Sequence, residues 1–261
     1  RYVKKFFVAE TSDPMKQHLL HFTKLLTFHD PELSHHLLTI EFYPELYAIP
    51  WFLTLFGHVL PVEKVFRLWD NILCEDSFFP LCLAVCFVQS MRSELLHADL
   101  NTGIFFVGYM QDVDIKKSVD ECRSIVSRTP MSLLNPQCFK PKYGFQELPL
   151  EVEYSAHSPY ISVDDVLLLR EKVVLVHAPG HSYSIPGLEE CPSLFVHECE
   201  DFVASLERHR GKPICILSED DAVGQEAAML LTKSHFPYVA VVRERLDQQE
   251  GEGESGDTWR D

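Results

Sequence analysis

The stretch 28–36, FHDPELSHH, contains several side chains that could bind a metal or exchange protons. These are His29, Asp30, His35 and His36. An aspartate directly before Pro31 is also a good helix cap, because its carboxylate accepts amide hydrogens that the first turn leaves free. We therefore interpret Asp30 as a cap and expect no metal here. Since adjacent residues point to different faces, we expect one of His35 and His36 to meet solvent.

The cysteines and a second histidine pair are the other candidates for metal or redox chemistry. The chain has eight cysteines and no C-x-x-C pair: Cys74, Cys82, Cys86, Cys122, Cys138, Cys191, Cys199 and Cys215. Most have apolar neighbours, which indicates reduced core residues of a cytosolic protein. His177 and His181 have a spacing that zinc could use, but no third ligand is evident. We expect neither a metal nor a cofactor.

Charge and hydropathy exclude two classes of partner. The formal net charge is −16 over 261 residues, whereas nucleic-acid binding depends on clustered Lys and Arg. Anionic lipid headgroups would repel the same charge. The apolar stretch 44–73 is interrupted by prolines and charged residues, and a membrane-spanning helix needs about 20 consecutive apolar residues. We therefore predict neither a nucleic-acid partner nor a transmembrane segment.

The elements that must position these residues change in type along the chain. Up to about residue 128 the pattern is helical, and after Pro61 one apolar stripe contains Val62, Val65, Phe66, Trp69, Ile72 and Leu73. After residue 159, short β-branched runs at 173–178, 214–217 and 238–242 alternate with helical stretches, including 161–169, which predicts a parallel sheet. We predict an all-helical domain at 1–131, a linker at 132–158, a small α/β domain at 159–243 and a disordered acidic tail at 244–261.

Three helical stretches resemble one known family. FHDPELSHHL (28–37), IPWFLTLF (49–56) and LPVEKVFRLWDNIL (60–73) are similar to the C-terminal half of a TBC domain, the helical module of Rab GTPase-activating proteins. The residues that match the family motifs are His29, Asp30, Pro31, Leu33, Trp51, Phe52, Trp69 and Asp70. We predict structural roles for them, with Trp51, Phe52, Phe56 and Trp69 in the core. The alternative is that some of these aromatic residues edge a groove that contacts the GTPase.

The resemblance implies a catalytic pair that this sequence does not match. The family supplies an arginine and a glutamine to the Rab active site, in motifs I-x-x-D-x-x-R and Y-x-Q-G upstream of the HDPEL stretch. Residues 1–27 contain neither motif. Gln89 in FVQS mimics the second, but it follows the Trp69-Asp70 motif inside an apolar helix. We expect Arg67 to pair with Glu63 or Asp70, so no catalytic residue is predicted.

The second domain is similar to the rhodanese family, with its reactive groups replaced. That family places a cysteine at the start of the loop after the central strand and an arginine five positions later. Here Ser218 and Val223 occupy those positions, and Glu219, Asp220 and Asp221 fill the loop with negative charge. His177 and Pro179 also replace residues common in the family, although IPG at 185–187 fits, and Cys215 lies within the strand. We predict a rhodanese-like fold used for binding, without sulfurtransferase activity.

Three functions follow from these resemblances. The first is part of a Rab GTPase-activating protein in vesicle or endosomal trafficking, with a Rab-family GTPase and other trafficking proteins as partners. The second is a non-catalytic scaffold of a trafficking complex, and the third is a sulfurtransferase. We expect a cytoplasmic protein that can attach peripherally to endosomal or other vesicle membranes. The chain begins with Arg1, which suggests a fragment, and a TBC domain without its first helices would be poorly soluble.

Overall fold

The computed structural model describes residues 13–108, 110, 112–135, 158–169, 172–179, 187–188, 191–196 and 199–243. In these ranges a helical region extends to residue 135 and an α/β region begins at residue 158. The helices of the first region are α1 (Asp13–His29), α2 (Pro31–Thr39), α3 (Ala48–Thr54), α4 (Val62–Cys74), α5 (Phe79–Ser90), α6 (Arg92–Leu95), α7 (Leu100–Gly108), α8 (Ile115–Arg128) and α9 (Met131–Leu134). The second region contains β1 (Tyr160–Ser162), α10 (Val163–Leu169), β2 (Val174–His177), β3 (Ser193–Leu194), α11 (Cys199–Leu206), β4 (Ile214–Leu217), α12 (Asp221–Lys233) and β5 (Val239–Arg243).

Aspartate caps fix the start of two helices in the first region. Asp30 Oδ1 accepts a hydrogen bond from the Leu33 amide at 3.1 Å, and Pro31 occupies the first turn of α2. Asp114 accepts one from the Lys117 amide at 3.1 Å at the start of α8. Each carboxylate satisfies an amide that has no partner within its own helix. The predicted role of Asp30 is confirmed.

Aromatic side chains form the centre of the helical core. All residues from 79 to 88 of α5 are buried, and α1, α3 and α8 pack against this helix. Trp51 and Phe52 are 1% and 0% exposed. Phe56 is also buried, and its ring meets that of Phe87 edge to face at 5.0 Å, a favourable geometry for aromatic pairs. The predicted core positions of Trp51, Phe52 and Phe56 are confirmed.

The apolar stretch 44–73 is divided among several short elements. It contains a single 3₁₀ turn at Pro44–Leu46, then α3, and then most of α4. None of the helices that the structure describes combines the length and the apolar composition needed to cross a bilayer.

The second region is built on one parallel sheet with the strand order β1–β5–β4–β2–β3. All four neighbouring pairs of strands are parallel. Every residue of β4 is buried, as expected for a central strand covered on both faces. The three strands predicted from β-branched runs correspond to β2, β4 and β5. The predicted helical domain followed by a parallel α/β unit is therefore confirmed at this level.

Two edge strands differ from the prediction. The stretch 161–169 is predicted to be helical throughout, but Ile161 and Ser162 belong to β1 and the helix begins at Val163. Strand β3 contains only Ser193 and Leu194. Strands of two or three residues are too short to show an alternating pattern, so periodicity could not indicate them.

A closed ring of hydrogen bonds joins the two regions. The Ser132 amide donates to Asp165 Oδ2 at 2.7 Å, and the Ser162 amide donates to Ser132 Oγ at 3.1 Å. The Asp165 amide donates to Ser162 Oγ at 3.1 Å, which completes the ring. Ser132 and Asp165 are buried. Residues 132–134 fall within the predicted linker but belong to helix α9, whereas residues 136–157 lie outside the described ranges.

A second contact joins the end of α1 to the start of β5. The Tyr238 amide donates to the Phe28 carbonyl oxygen at 2.7 Å, and the two rings lie 5.5 Å apart. The larger hydrophobic cluster also includes Leu134 from the helices and Ile161 and Val242 from the sheet. The helical and α/β regions therefore share part of one core.

We expect Asp165→Ala to lower the free energy of unfolding by about 1–3 kcal/mol, because the buried Ser132 amide would lose its acceptor. The adjacent Asp164 is exposed, so Asp164→Ala is the matched control, with an expected change of at most about 0.5 kcal/mol. Urea denaturation followed by circular dichroism measures both variants. Equal losses in the two would contradict the role assigned to the ring.

Candidate functional site

Helix α4 has two apolar faces, and only one of them is buried. The buried face consists of Val65, Leu68 and Ile72. A second set remains accessible to solvent: Val62 (57% exposed), Phe66 (60%), Trp69 (36%) and Leu73 (81%). At 1.5 Å per residue these four span about 16 Å along the helix. We refer to them as the exposed stripe of α4.

The predicted core position of Trp69 is wrong. Its indole Nε1–H donates to the Leu55 carbonyl oxygen at 2.9 Å, and its ring meets the Phe66 ring edge to face at 6.4 Å. Leu68, which the predicted stripe omits, is fully buried instead. The predicted single stripe is therefore two stripes, separated by roughly a quarter turn at 100° per residue. Within each stripe the residues recur every three or four positions. This spacing was the sequence signal that could have separated the two stripes.

Polar residues flank the exposed stripe on one side. Glu63, Arg67 and Asp70 are all exposed. The predicted ion pair of Arg67 with Glu63 or Asp70 does not form, since no such pair within 4.0 Å occurs among the described residues. Arg67 instead lines a groove of about 530 Å³ together with Asp114 and Arg123. Its guanidinium is therefore accessible at the surface.

Gln89 lies in the last turn of α5 and is half-buried. The helix before it is fully buried through Val88. Gln89 therefore belongs to the predicted apolar helix but lies at its end, and a non-catalytic role for Gln89 stays a prediction.

The HDPEL stretch links α2 to α6. Asp30 Oδ2 accepts a hydrogen bond from Arg92 Nε at 2.8 Å, and the same guanidinium also pairs with Glu32. Pro31 and Leu33 are buried. Both carboxylate oxygens of Asp30 thus accept a hydrogen bond from within the fold. The observed contacts of Asp30 are therefore structural ones.

His29 is held as a neutral, buried hydrogen-bond donor. Its Nε2 lies 2.7 Å from Thr129 Oγ1, which itself donates to the Ile125 carbonyl oxygen. Since the hydroxyl proton is used, Nε2 must carry the proton that His29 donates. Burial, together with the nearby Arg128 charge, lowers the pKa of His29 from its usual 6.5 to about 4.

The other histidines of this stretch do not assemble with His29 into a metal site. His35 is exposed, and His36 is half-buried with Nε2 3.3 Å from the Ala98 carbonyl oxygen. The prediction that one of the two meets solvent is confirmed. In the described part of the chain, no three His, Cys, Asp or Glu side chains are grouped so that they could hold a metal ion.

His177 is engaged at the end of β2. Its Nε2 lies 2.9 Å from Ser193 Oγ, and its ring stacks on the Phe195 ring at 3.8 Å. His181, the other member of the pair, lies outside the described residues, as do Ile185 and Pro186 of the IPG stretch.

The loop between β4 and α12 bonds to itself. Ser218 Oγ donates to the Asp220 carbonyl oxygen at 2.6 Å. The Asp220 carboxylate accepts from the Ala222 amide at 2.8 Å, and its carbonyl accepts from the Gly224 amide at 3.0 Å. Amides at the start of a helix otherwise attract anions. The Ala222 and Gly224 amides already donate to Asp220, so they are not free to bind an anion.

Asp221 and Val223 complete this loop. The Tyr160 hydroxyl donates to Asp221 Oδ2 at 2.9 Å, and Arg243 forms two further bonds to the same carboxylate. The Arg243 guanidinium also stacks on the Tyr160 ring at 3.9 Å. Val223 is partly buried against the smaller hydrophobic cluster. None of these contacts is evident from the sequence, because the partners lie 22 and 61 residues away.

The cysteines of the described ranges are mostly core residues, as predicted. Cys82, Cys86, Cys122 and Cys215 are buried, Cys191 is half-buried and Cys74 is exposed, all as free thiols. Burial raises the pKa of Cys215 to about 12, so at neutral pH it remains a thiol.

Comparison with known proteins gives a consistent result. Residues 1–96 match the model of the Rab-GTPase-TBC domain family. The human TBC domain-containing protein kinase-like protein is 40% identical over an alignment that takes in 93% of this chain and 33% of the relative. For the Dictyostelium discoideum protein of that name, the identity is 27% over 96% of this chain and 24% of the relative. The Xenopus tropicalis protein TBC1 domain family member 31 is 31% identical over 42% of this chain and 10% of its own length.

This chain thus spans a third or less of the length of these relatives. The family match takes in the HDPEL stretch and α4 with its exposed stripe, so the resemblance predicted from the stretches 28–37, 49–56 and 60–73 is confirmed. Residues 1–96 are therefore similar to the Rab-GTPase-TBC domain family.

Proposed function

We propose that this chain is part of a Rab GTPase-activating protein and contributes contact surface to it without the catalytic arginine and glutamine. The observation that carries the proposal is the exposed stripe of α4, which lies inside the Rab-GTPase-TBC match. GTPase activation of this kind needs an arginine that stabilises the transferring phosphoryl group, worth about 10³–10⁵ in rate. The sequence offers no counterpart of the family motif that supplies it.

The exposed stripe has the composition of a protein-binding surface. Phe66, Trp69 and Leu73 form an apolar centre, and aromatic residues are enriched in such centres. Arg67 and Asp70 provide a charged rim beside it. The proposed partner is a small GTPase of the Rab class, and the proposed setting is the cytoplasmic face of endosomal or other vesicle membranes.

The α/β region is proposed to be a rhodanese-like binding module without sulfurtransferase activity. Ser218 has no thiol to carry sulfur, and the Asp220 carboxylate already accepts an amide of the loop. The exposed carboxylate of Glu219, which forms no ion pair among the described residues, would repel an anionic sulfur donor such as thiosulfate. Cys215 is buried inside β4 as a thiol, which makes it a poor nucleophile.

Two alternative functions are a non-catalytic scaffold and a sulfurtransferase, and each can be tested separately. A non-catalytic scaffold for a trafficking complex is favoured by the shared core of the two regions, which packs them against each other. A sulfurtransferase has the observations at Ser218 and Cys215 against it. Transfer of sulfur from thiosulfate to cyanide that depends on a cysteine would nevertheless support it.

We expect this chain to bind a GTP-loaded Rab GTPase without accelerating GTP hydrolysis. Leu73→Asp should weaken binding about tenfold or more, because it places a charge on the apolar surface of the stripe. Leu168→Asp is the matched control, since Leu73 and Leu168 are 81% and 83% exposed on different helices. Biolayer interferometry and single-turnover hydrolysis over a panel of Rab proteins measure the two properties.

Acceleration of hydrolysis by this chain alone would show that the proposed absence of catalytic groups is wrong. Equal affinity of wild type and Leu73→Asp would overturn the proposed surface. If no Rab protein binds at all, the scaffold function becomes the better proposal.

A further inference from the structure

A cavity of about 230 Å³ lies where the helical region meets the α/β region. Pro31 and Leu38 of α2 and Met229 of α12 supply apolar walls. Thr27 and Ser34, whose hydroxyl oxygens lie 2.7 Å apart, add polar groups to its lining. The interior is therefore mainly apolar, with hydrogen-bonding capacity on the α1–α2 side.

The lining of this cavity carries basic groups and no carboxylate. Lys233 and His35 line it, and none of the lining residues is Asp or Glu. The His235 ring lies 6.5 Å from the His35 ring. Lys233 forms no ion pair among the described residues. In a chain with 39 acidic and 23 basic residues, this is a locally positive site.

Glu226 of α12 forms no ion pair among the described residues, but it does not line the cavity. Two carboxylates on neighbouring elements are paired with arginines. Glu32, on α2, pairs with Arg92. Glu207 forms two bonds to Arg210, the residue whose guanidinium also donates to the His235 carbonyl oxygen at 3.0 Å. These carboxylates are thus engaged by arginines, and they do not line the cavity.

We propose that this cavity binds a small organic anion, with its apolar part between Leu38 and Met229 and its charge beside Lys233 and His35. A cavity of about 150 Å³ is enough to hold benzene, so this one can accommodate an aromatic ring that carries one carboxylate or phosphate. Since α2 and α12 both contribute walls, the bound anion would contact the two regions at once.

Protonation of His35 supports this assignment. Partial desolvation lowers the pKa of His35 from its usual value, and the nearby His235, Lys233 and His36 lower it further. A bound anion would favour the protonated imidazolium, so by linkage the anion binds more tightly as the pH falls. A neutral ligand of the same shape would gain nothing from this charge.

Isothermal titration calorimetry of this chain tests the proposal with three probes: benzoate, phenyl phosphate and the neutral benzyl alcohol. We expect one or both anions to bind more tightly than benzyl alcohol, and more tightly at pH 6 than at pH 8. Comparison of benzoate with phenyl phosphate identifies the preferred anionic group. Lys233→Met should weaken anion binding about tenfold, the loss expected for one charge-assisted contact.

Lys212→Met is the matched control, because Lys212 is also exposed but does not line the cavity. His35→Gln should remove most of the pH dependence and provides a second variant if Lys233→Met fails to fold. Equal affinity for benzyl alcohol and both anions, unchanged affinity in Lys233→Met, or no binding of any probe at millimolar concentration would each overturn the proposal.

Discussion

Replacing Trp51 by alanine is expected to lower the free energy of unfolding by about 3–5 kcal/mol, the usual cost of deleting a buried aromatic side chain. Trp51 is 1% exposed, and its ring lies within 6.4 Å of the rings of Tyr47, Phe56 and Phe87. Its removal would leave a cavity that these neighbours cannot fill without moving. Urea denaturation monitored by far-ultraviolet circular dichroism measures the loss.

Trp69→Ala is the matched control, since it deletes the same side chain from a neighbouring family motif. Trp69 is 36% exposed, and its removal costs one indole hydrogen bond and part of its surface contacts. We expect a loss of about 1 kcal/mol, well below that of Trp51→Ala. Similar losses in the two variants would show that Trp69 is as much a core residue as Trp51. A smaller loss in Trp51→Ala would contradict the packing assigned to α3.

The two tryptophans also show how far the sequence could predict the fold. Periodicity identifies a helix at residues 62–74 and predicts that its apolar residues are buried. In the structure α4 has two apolar stripes, and only one of them is buried. Which stripe faces the core depends on the packing of α8 and of the chain after α3, and neither is local to the helix. The cap at Asp30 was predictable because capping involves residues only three positions apart.

The α/β region shows the same distinction between local and non-local signals. The strands at β2, β4 and β5 were predictable from runs of β-branched residues, whereas β1 and β3 are too short for such a signal. The contact between Phe28 and Tyr238 joins residues 210 positions apart. It also uses a left-handed backbone conformation at Tyr238, with φ of 61°, which no sequence rule assigns to a tyrosine.

The loop between β4 and α12 was also only partly predictable, because its residue types are local but its contacts are not. The absence of a thiol at Ser218 and the charge of the loop follow directly from residue types. The partners of these charges do not, because Asp221 of α12 bonds to Tyr160 and Arg243, which the fold brings together from strands β1 and β5. The cavity between α2 and α12 likewise depends on how the two regions meet.

Acid should destabilise this protein partly through His29, with a contribution of about 3 kcal/mol between pH 6.5 and pH 4. The folded-state pKa of His29 is lowered to about 4 by burial and by Arg128, whereas the unfolded chain protonates it near 6.5. Between these values the unfolded state binds the additional proton. Stability from the neutral imidazole is therefore present above pH 6.5 and is lost as the pH falls towards 4.

The variant His29→Gln isolates this contribution, because glutamine can still donate to Thr129 Oγ1 but does not titrate. We expect its free energy of unfolding to fall by about 3 kcal/mol less than that of wild type between pH 6.5 and pH 4. Groups that titrate elsewhere, including His35 and His209, are common to both proteins and cancel in the comparison. Thr129→Val removes the acceptor while keeping the imidazole, so it should lower stability throughout and retain an acid-sensitive slope. If His29→Gln has the same slope as wild type, the acid sensitivity has another source, and the buried imidazole contributes only its hydrogen bond.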